Sequence, residues 1–239
     1  MDFSRAHFYR TPSIDTERVA SGVLEIFPKC KIDARKPVVL PAEQAMISDI
    51  AQPFHAQSKV QKDFDLYGKS VRLYDGFQLQ QIFAQAIPEK EKSLDHLHII
   101  FTDLLACTFS EDDWRYHART VICGTPSIIS VPGIVEAPAK PREFYFGLSF
   151  GLDAESAKKS VRGRFVDYGD ERIVDAATNF ALQAMFFFLT EGEPFCDDST
   201  CRLFNAHWQE DLIRTLKNPA LCRKHRQVAD KFNGRLARM

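Results

Sequence analysis

Apolar and polar residues alternate along several short stretches of this chain, a period that predicts β-strands. The clearest stretch places two sets of side chains on opposite faces: Leu97, Ile99 and Phe101 on one, and His96, His98 and Ile100 on the other. Similar but shorter patterns predict strands at 23–27, 70–74, 121–123, 127–131 and 144–150. Short strands divided by Gly and Pro favour a small sheet over a long parallel one.

Longer apolar spacings predict helices at 43–55, 77–87, 171–189 and 205–216. The strongest is Glu171–Leu189, which is apolar nearly all round in its second half and is therefore expected to be buried. Gly192 follows it closely and can end it in the left-handed conformation that glycine tolerates.

The order of these elements predicts an α+β fold, in which helices pack on a small mixed β-sheet. The chain has 239 residues and no low-complexity tract or obvious linker. We therefore expect residues 1–93, an N-terminal α/β segment, to belong to the same domain as residues 94–239.

Charge and hydropathy exclude several functional classes. The 31 basic and 32 acidic residues give a net charge of -1, so nucleic-acid binding is not expected. The most apolar stretch, 180–189, is too short to cross a bilayer and contains Gln183, so no membrane association is expected either. The N-terminus lacks the apolar run of a signal peptide, which predicts a cytoplasmic protein.

Four metal-binding residue types near the C-terminus have the spacing of a zinc site. Cys196 and Cys201 form a C-x4-C pair, and Cys222 and His225 form a C-x2-H pair after a 20-residue loop. Two short pairs joined by a loop supply the four tetrahedral ligands of structural zinc. One structural zinc ion is predicted here, with His207 as the alternative fourth ligand if His225 is not used.

The same segment resembles a known family. Gly192, Cys196, Cys201 and Cys222 fall on positions of the archaemetzincin pattern, with His225 in place of its final Cys and Leu203 in place of a Met. Archaemetzincins are archaeal relatives of the metzincin proteases, and the resemblance runs from about Leu94 to the end. It implies a metzincin-like fold with a C-terminal structural zinc loop. An archaeal group described as metallopeptidases shares a similar Gly-Glu-Pro-Phe-Cys stretch.

The catalytic part of that family pattern is missing. The resemblance places the first two His at Met185 and Leu189, the catalytic Glu at Phe186 and the third His at Phe195. None of these side chains is a useful zinc ligand or a general base. The resemblance therefore implies a degenerate metallopeptidase, whose large apolar residues fill the former active site.

His96 and His98 are an alternative source of chemistry. An H-x-H pair on a strand directs both rings to one face, as in zinc sites that have three protein ligands. His117 or Asp113 would be the third ligand if the chain folds back. The competing interpretation is a half-exposed strand face with two solvated imidazoles.

Two functional hypotheses remain. The first is a zinc-binding pseudoenzyme that acts as a binding or scaffolding protein for an unidentified protein or peptide partner. The alternative is an active metal-dependent hydrolase that uses a second metal around His96 and His98.

Overall fold

The computed structural model describes residues 3–44, 64–66 and 69–238. The strands are β1 (Arg5–Tyr9), β2 (Lys31–Arg35), β3 (Phe64–Leu66), β4 (Lys69–Val71), β5 (Leu73–Asp75), β6 (His96–Thr102), β7 (Leu105–Ser110), β8 (Arg115–Ala118), β9 (Val121–Ile122) and β10 (Ser127–Ser130). The helices are α1 (Thr16–Leu24), α2 (Gly76–Ala84), α3 (Val131–Glu136), α4 (Arg142–Ser149), α5 (Ala154–Ser160), α6 (Arg172–Leu189), α7 (Gln209–Lys217) and α8 (Arg223–Leu236), with a 3-10 turn at Glu89–Glu91.

A five-stranded sheet forms the centre, in the order β2-β1-β6-β10-β9. Its first four strands are parallel, and β9 pairs antiparallel with β10 at the edge. A three-stranded sheet, β5-β7-β8, and a β3-β4 hairpin complete the strands that the structure describes. The α+β fold with mixed sheets is confirmed.

The alternation in β6 has the expected consequence. Leu97, Ile99 and Phe101 enter the main core together with α1, α6 and α8. Ile100 enters a second core on the opposite face, with Leu79 of α2. The central sheet is therefore covered on both faces, as expected for a largely parallel sheet. His98 lies on the same face as Ile100 and is fully buried.

Helix α6 is buried along most of its length and matches its predicted bounds closely. Its end differs from the prediction by one residue: after the Thr190 cap, Glu191 takes the left-handed conformation with a φ of 58°. Gly192 follows with a φ of 106°, and its N–H closes the turn by donating to the carbonyl of Phe187 at 2.8 Å. This turn directs the chain toward the predicted zinc loop.

Two predicted strands were wrong. Residues 23–27 contain the end of α1, which starts at an Asp15 cap and buries Val19 and Val23 one turn apart. Residues 144–150 lie mostly in α4, where Phe144 packs with residues of α5 such as Ala157. In both stretches, apolar residues at a spacing of four outweighed the local alternation. The helix predicted at 43–55 falls mainly outside the described residues.

None of the helices in the described ranges combines the length and the apolarity that are needed to cross a membrane.

Candidate metal centre and cleft

The four predicted zinc ligands converge at one point. One donor atom from each of Cys196, Cys201, Cys222 and His225 lies within 4.8 Å of those of the other three. The Sγ atoms of Cys196 and Cys222 are 3.8 Å apart, and Nδ1 of His225 lies 3.1 Å from Cys222 Sγ and 3.7 Å from Cys201 Sγ. No disulfide joins the described cysteines, because the sulfurs are far beyond the bonding distance of about 2.05 Å.

Local backbone structure sets these positions. Cys196 pairs with Phe204 in a β-bridge, with the Cys196 N–H donating to Leu203 O at 2.9 Å and the Asn205 N–H to Cys196 O at 3.1 Å. These two hydrogen bonds bring the segment that follows Cys201 back alongside Cys196. Cys222 is the N-cap of α8, so that His225 lies in the first turn on the same side of the helix. A cap and a residue three positions later face one another in this geometry.

The arrangement fits a tetrahedral zinc ion. Zinc lies about 2.3 Å from sulfur and about 2.0 Å from imidazole nitrogen, so neighbouring ligand atoms are about 3.5 to 3.8 Å apart. The sulfur–sulfur distance of 3.8 Å between Cys196 and Cys222 matches this value. Of the distances from His225 Nδ1, the 3.7 Å to Cys201 Sγ lies within this range and the 3.1 Å to Cys222 Sγ is shorter. Three thiols and one imidazole also form a common donor set for zinc.

Backbone amides already point at two of the sulfurs. The Asp198 N–H donates to Cys196 Sγ and the Cys222 N–H to Cys201 Sγ, both at 3.4 Å. Such N–H groups stabilise thiolates, which are the form that binds metal. The loop therefore supplies an outer layer of donors as well as the ligands.

Without metal, burial keeps most of these thiols protonated. It raises the pKa of Cys196 to about 12 and also raises the pKa of Cys201. Burial opposes ionisation of Cys222 as well, but the His225 N–H and the neighbouring thiols lower its pKa overall. Burial lowers the pKa of His225, which keeps the imidazole neutral. The group is thus able to exchange thiol protons for a metal ion.

An open cleft of about 560 Å³ lies beside this cluster. Its helix wall consists of Phe180, Gln183 and Phe187, and Val121 and Ile122 of the edge strand β9 line it as well. Polar lining residues include Thr108, Arg119, Thr120, Asn205 and His207. The described residues that line the cleft include no carboxylate. The imidazole among them is that of His207.

Helix α6 presents a different face to the cleft from the one that the family resemblance implied. Met185 and Phe186 are fully buried in the main core, and Leu189 packs at its margin. Of the four positions, Phe195 lines the cleft, with 37% of its surface exposed. An open pocket lined by all four is not present among the described residues. Their role in filling a former active site stays a hypothesis.

Phe195 and Asn205 connect the two regions. Both line the cleft, and both also line a smaller depression beside Cys196, Cys222 and His225. His207, the alternative fourth ligand, lies in the cleft, and its carbonyl accepts from the Ala139 N–H at 2.8 Å. The structure therefore directs His225 toward the three thiols, and His207 toward the cleft.

A second group forms around the H-x-H pair. His7, Glu91 and His98 each place a donor atom within 4.8 Å of the other two, and the His96 ring stacks 5.0 Å from that of His7. His117 belongs to the other sheet, where its Nε2 is 2.9 Å from Asp113 Oδ1. The fold thus does not bring His117 or Asp113 into the group of His7, Glu91 and His98.

His7 and Glu91 were not predicted from the sequence. His7 lies in β1, whose RAHFY segment alternates polar and apolar residues as far as Phe8, although Ala6 to Tyr9 are all buried. Its register opposite His98 depends on parallel pairing. Glu91 lies in a 3-10 turn that carries no sequence signature of a site. The alternation in β1 was the one available signal.

Comparison with known proteins adds a family. Residues 2–232 match the model of a family described as "Probable metallopeptidase family (DUF6775)". No curated protein and no solved structure matches the chain. The predicted metallopeptidase ancestry is confirmed, and the narrower resemblance to archaemetzincins stays a prediction.

Proposed function

The chain belongs to the family described as probable metallopeptidases, and we propose that it is a zinc-stabilised member that binds polypeptide without hydrolysing it. The observation that carries this proposal is the separation of the metal ligands from the cleft. The cluster of Cys196, Cys201, Cys222 and His225 lies beside the cleft, while the cleft has a mixed apolar and polar lining that contains Arg119 and His207.

The zinc ion would be structural. Four protein ligands complete a tetrahedron and leave no coordination position for water or substrate. Cys196 and Cys201 precede α7, and Cys222 and His225 begin α8, so one ion would tie both helices to the end of α6. Metal binding to such a set stabilises the segment by about 10 kcal/mol or more relative to its metal-free unfolded form.

The cleft lacks the groups that peptide hydrolysis by a metalloenzyme requires. A catalytic zinc ion needs three protein ligands, and a nearby base must accept the proton of the attacking water. Among the described lining residues, His207 is an imidazole, but no Asp or Glu is present. Arg119 is a permanent cation and does not act as a base.

The lining suits an extended peptide. β9 is an edge strand of the five-stranded sheet, and its Val121 and Ile122 reach the cleft. Edge strands bind extended peptides through main-chain hydrogen bonds, and flanking pockets select side chains. Phe180, Phe187 and Phe195 provide such apolar contacts on the opposite side. The role is therefore binding or scaffolding.

Two assays on the purified protein test this proposal. Elemental analysis is expected to find zinc in the parent and in a Cys107→Ser control. The double variant Cys196→Ser, Cys222→Ser is expected to contain no zinc at this site. A quenched fluorogenic peptide library is expected to remain uncleaved by the zinc-loaded parent. Hydrolysis that disappears in the Cys variant or in Gln183→Ala would contradict the proposal.

Binding is tested with a labelled library of extended decapeptides. The parent is expected to retain peptides. Phe187→Asp places a charge in the cleft and is expected to abolish this retention. Phe150→Asp is the matched control, because Phe150 is 87% exposed and lies outside the described cleft lining. Equal retention by all three proteins, or none by the parent, would refute a peptide-binding cleft.

A further inference from the structure

The second histidine group lies where two parallel strands begin. His7 of β1 is the register partner of His98 of β6, and His96 lies two residues before His98 on the same face. The His7 ring is 5.0 Å from the His96 ring and 4.7 Å from the His98 ring. Three imidazoles thus share one patch of the sheet. His7 and His98 are almost completely buried, whereas the His96 side chain is 15% exposed.

Hydrogen bonds define which ring nitrogens can bind a metal. His98 Nε2 lies 3.0 Å from the carbonyl oxygen of Glu91, an acceptor that requires a proton on this nitrogen. Nδ1 of His98 is then the unprotonated atom, 3.1 Å from the hydroxyl of Tyr9, which donates to it. Burial lowers the pKa of His98, so the ring is neutral and retains this lone pair.

His7 is oriented in the same way. Its Nδ1 contacts a carboxylate oxygen of Asp33 and lies 2.8 Å from Nη2 of Arg35. In the tautomer that donates from Nδ1 to Asp33, the remaining lone pair is on Nε2. His96 Nδ1 lies 2.7 Å from that atom and donates to it in the metal-free protein. A histidine whose second nitrogen is bonded to a carboxylate or a carbonyl is the usual form of a metal-ligating histidine. His7 and His98 both have this arrangement.

A carboxylate completes the group. Glu91 places an oxygen within 4.8 Å of the ligand atoms of His7 and His98. Arg35 holds the Glu91 carboxylate through contacts of 2.7 and 3.3 Å, and it also contacts Asp33 at 2.7 Å. These contacts lower the pKa of Glu91 and keep it ionised. A second lone pair on each carboxylate oxygen leaves it able to bind a cation while it accepts from Arg35.

We propose that Nε2 of His7, Nδ1 of His98 and the carboxylate of Glu91 form a second metal site for a divalent transition-metal ion. Imidazole suits zinc, cobalt and nickel, and two histidines with one carboxylate form a site with open positions. The metal replaces two hydrogen bonds of the metal-free protein, the N–H that His96 donates to His7 and the O–H that Tyr9 donates to His98. Asp33 and Arg35 position His7 and Glu91 and do not bind the metal themselves.

A depression of about 270 Å³ adjoins His7 and Glu91. His7, Asp33, Arg35 and Glu91 line it, together with the basic residues Arg5 and Lys31. Cations around an open metal position favour an anion or hydroxide as the additional ligand. The site differs in this respect from the Cys196 cluster, where four protein ligands close the coordination sphere.

Cobalt substitution distinguishes the two sites, because thiolate ligands give cobalt an intense charge-transfer absorption that imidazole and carboxylate do not. We expect the apoprotein to bind two Co²⁺ ions. Cys196→Ser, Cys222→Ser is expected to lose the thiolate absorption and keep one ion. His98→Gln is expected to keep the absorption and lose the other ion. Glu91→Gln, at a partly exposed position, is the second variant in case His98→Gln does not fold.

Two further variants give the assay its controls. His117→Gln removes an imidazole outside the group and is expected to retain two ions. Asp33→Asn removes an outer carboxylate and is expected to weaken binding at the second site about 10- to 100-fold. One Co²⁺ ion in the parent with full thiolate absorption, unchanged in Glu91→Gln and His98→Gln, would overturn this inference alone. Two ions without thiolate absorption would instead contradict the zinc cluster.

Discussion

The ring of Phe186 meets the ring of His225 edge to face, with centroids 5.2 Å apart and planes at 90°. Phe186 also contacts Phe27 of the segment after α1, at 5.6 Å between centroids. The family resemblance places a catalytic Glu at position 186, yet here the side chain packs against the predicted metal ligand His225 from within the core. This contact links the buried helix directly to the group of Cys196, Cys201, Cys222 and His225.

Introducing the Glu that the family resemblance places at position 186 should therefore damage the fold and should not create peptidase activity. Phe186→Glu places a carboxylate at a position with 0% exposure, between Phe27 and His225. An unpaired buried charge of this kind costs more than about 3 kcal/mol. Urea denaturation should show that loss, and peptide hydrolysis should remain absent.

Two variants complete that test. Phe186→Leu keeps an apolar side chain and should cost only about 1.5 kcal/mol. Phe195→His adds an imidazole at a partly exposed position in the cleft and should change stability by less than about 1 kcal/mol. Peptidase activity in Phe186→Glu would mean that position 186 faces the cleft, contrary to the packing described here.

Zinc affinity should depend steeply on pH. Burial holds the pKa of Cys196 at about 12 and raises that of Cys201, so both thiols release protons when zinc binds. Proton competition then strengthens as the pH falls, and the apparent affinity should drop at least about tenfold per pH unit between pH 8 and pH 6. Competition with a chromophoric chelator at each pH measures this slope. A flat profile would show that the cysteines bind as thiolates that are already formed.

The convergence of the four predicted ligands was predictable because each pair has a local signal. Cys222 and His225 are three residues apart, and a helix cap brings them to one side whatever the rest of the chain does. A tight turn is enough to bring Cys196 and Cys201 together. The strand face of His96 and His98 was predictable for the same reason, since alternation fixes which side each residue takes.

The rest depended on contacts distant in sequence. His7 reaches His98 because β1 and β6 are parallel neighbours, and their register is set by the whole sheet. The rotation of α6 was also hidden. The second half of the helix is apolar nearly all round, so its sequence does not distinguish the core face of Met185 from the cleft face of Phe187. Packing against the strands decides that orientation.

The last helix should remain docked on the core in the absence of metal. Phe232 of α8 is 1% exposed, and its ring centroid lies 4.8 Å from that of Phe3 and 5.3 Å from that of Phe27. Asn233 Nδ2 also donates to the carbonyl of Ile26 at 2.9 Å. Phe232→Ala should cost about 3 to 5 kcal/mol by leaving a cavity between these rings.

Calorimetry with and without chelator separates this contribution from that of zinc. Phe232→Ala should lower the melting temperature of both the zinc-loaded and the metal-free protein, whereas Lys231→Ala, at an exposed neighbouring position, should change neither. A loss seen with zinc alone would mean that α8 docks only through the metal cluster.

A buried ion pair shapes one wall of the cleft. Lys140 Nζ lies 2.9 Å from Glu136 Oε2, and these side chains are 3% and 9% exposed. Between them, Ala137 and Pro138 line the cleft, and the Ala139 N–H donates to His207 O. Glu136→Gln should cost about 3 to 5 kcal/mol because it removes the carboxylate that balances the buried charge of Lys140. The same variant should also weaken peptide retention, because the wall of the cleft becomes looser.

The double variant Glu136→Leu, Lys140→Met removes both charges and should recover most of the stability. Denaturation curves measure the stability of each variant, and the decapeptide assay measures its peptide retention. Equal stability of Glu136→Gln and the parent would show that this ion pair does not hold the wall.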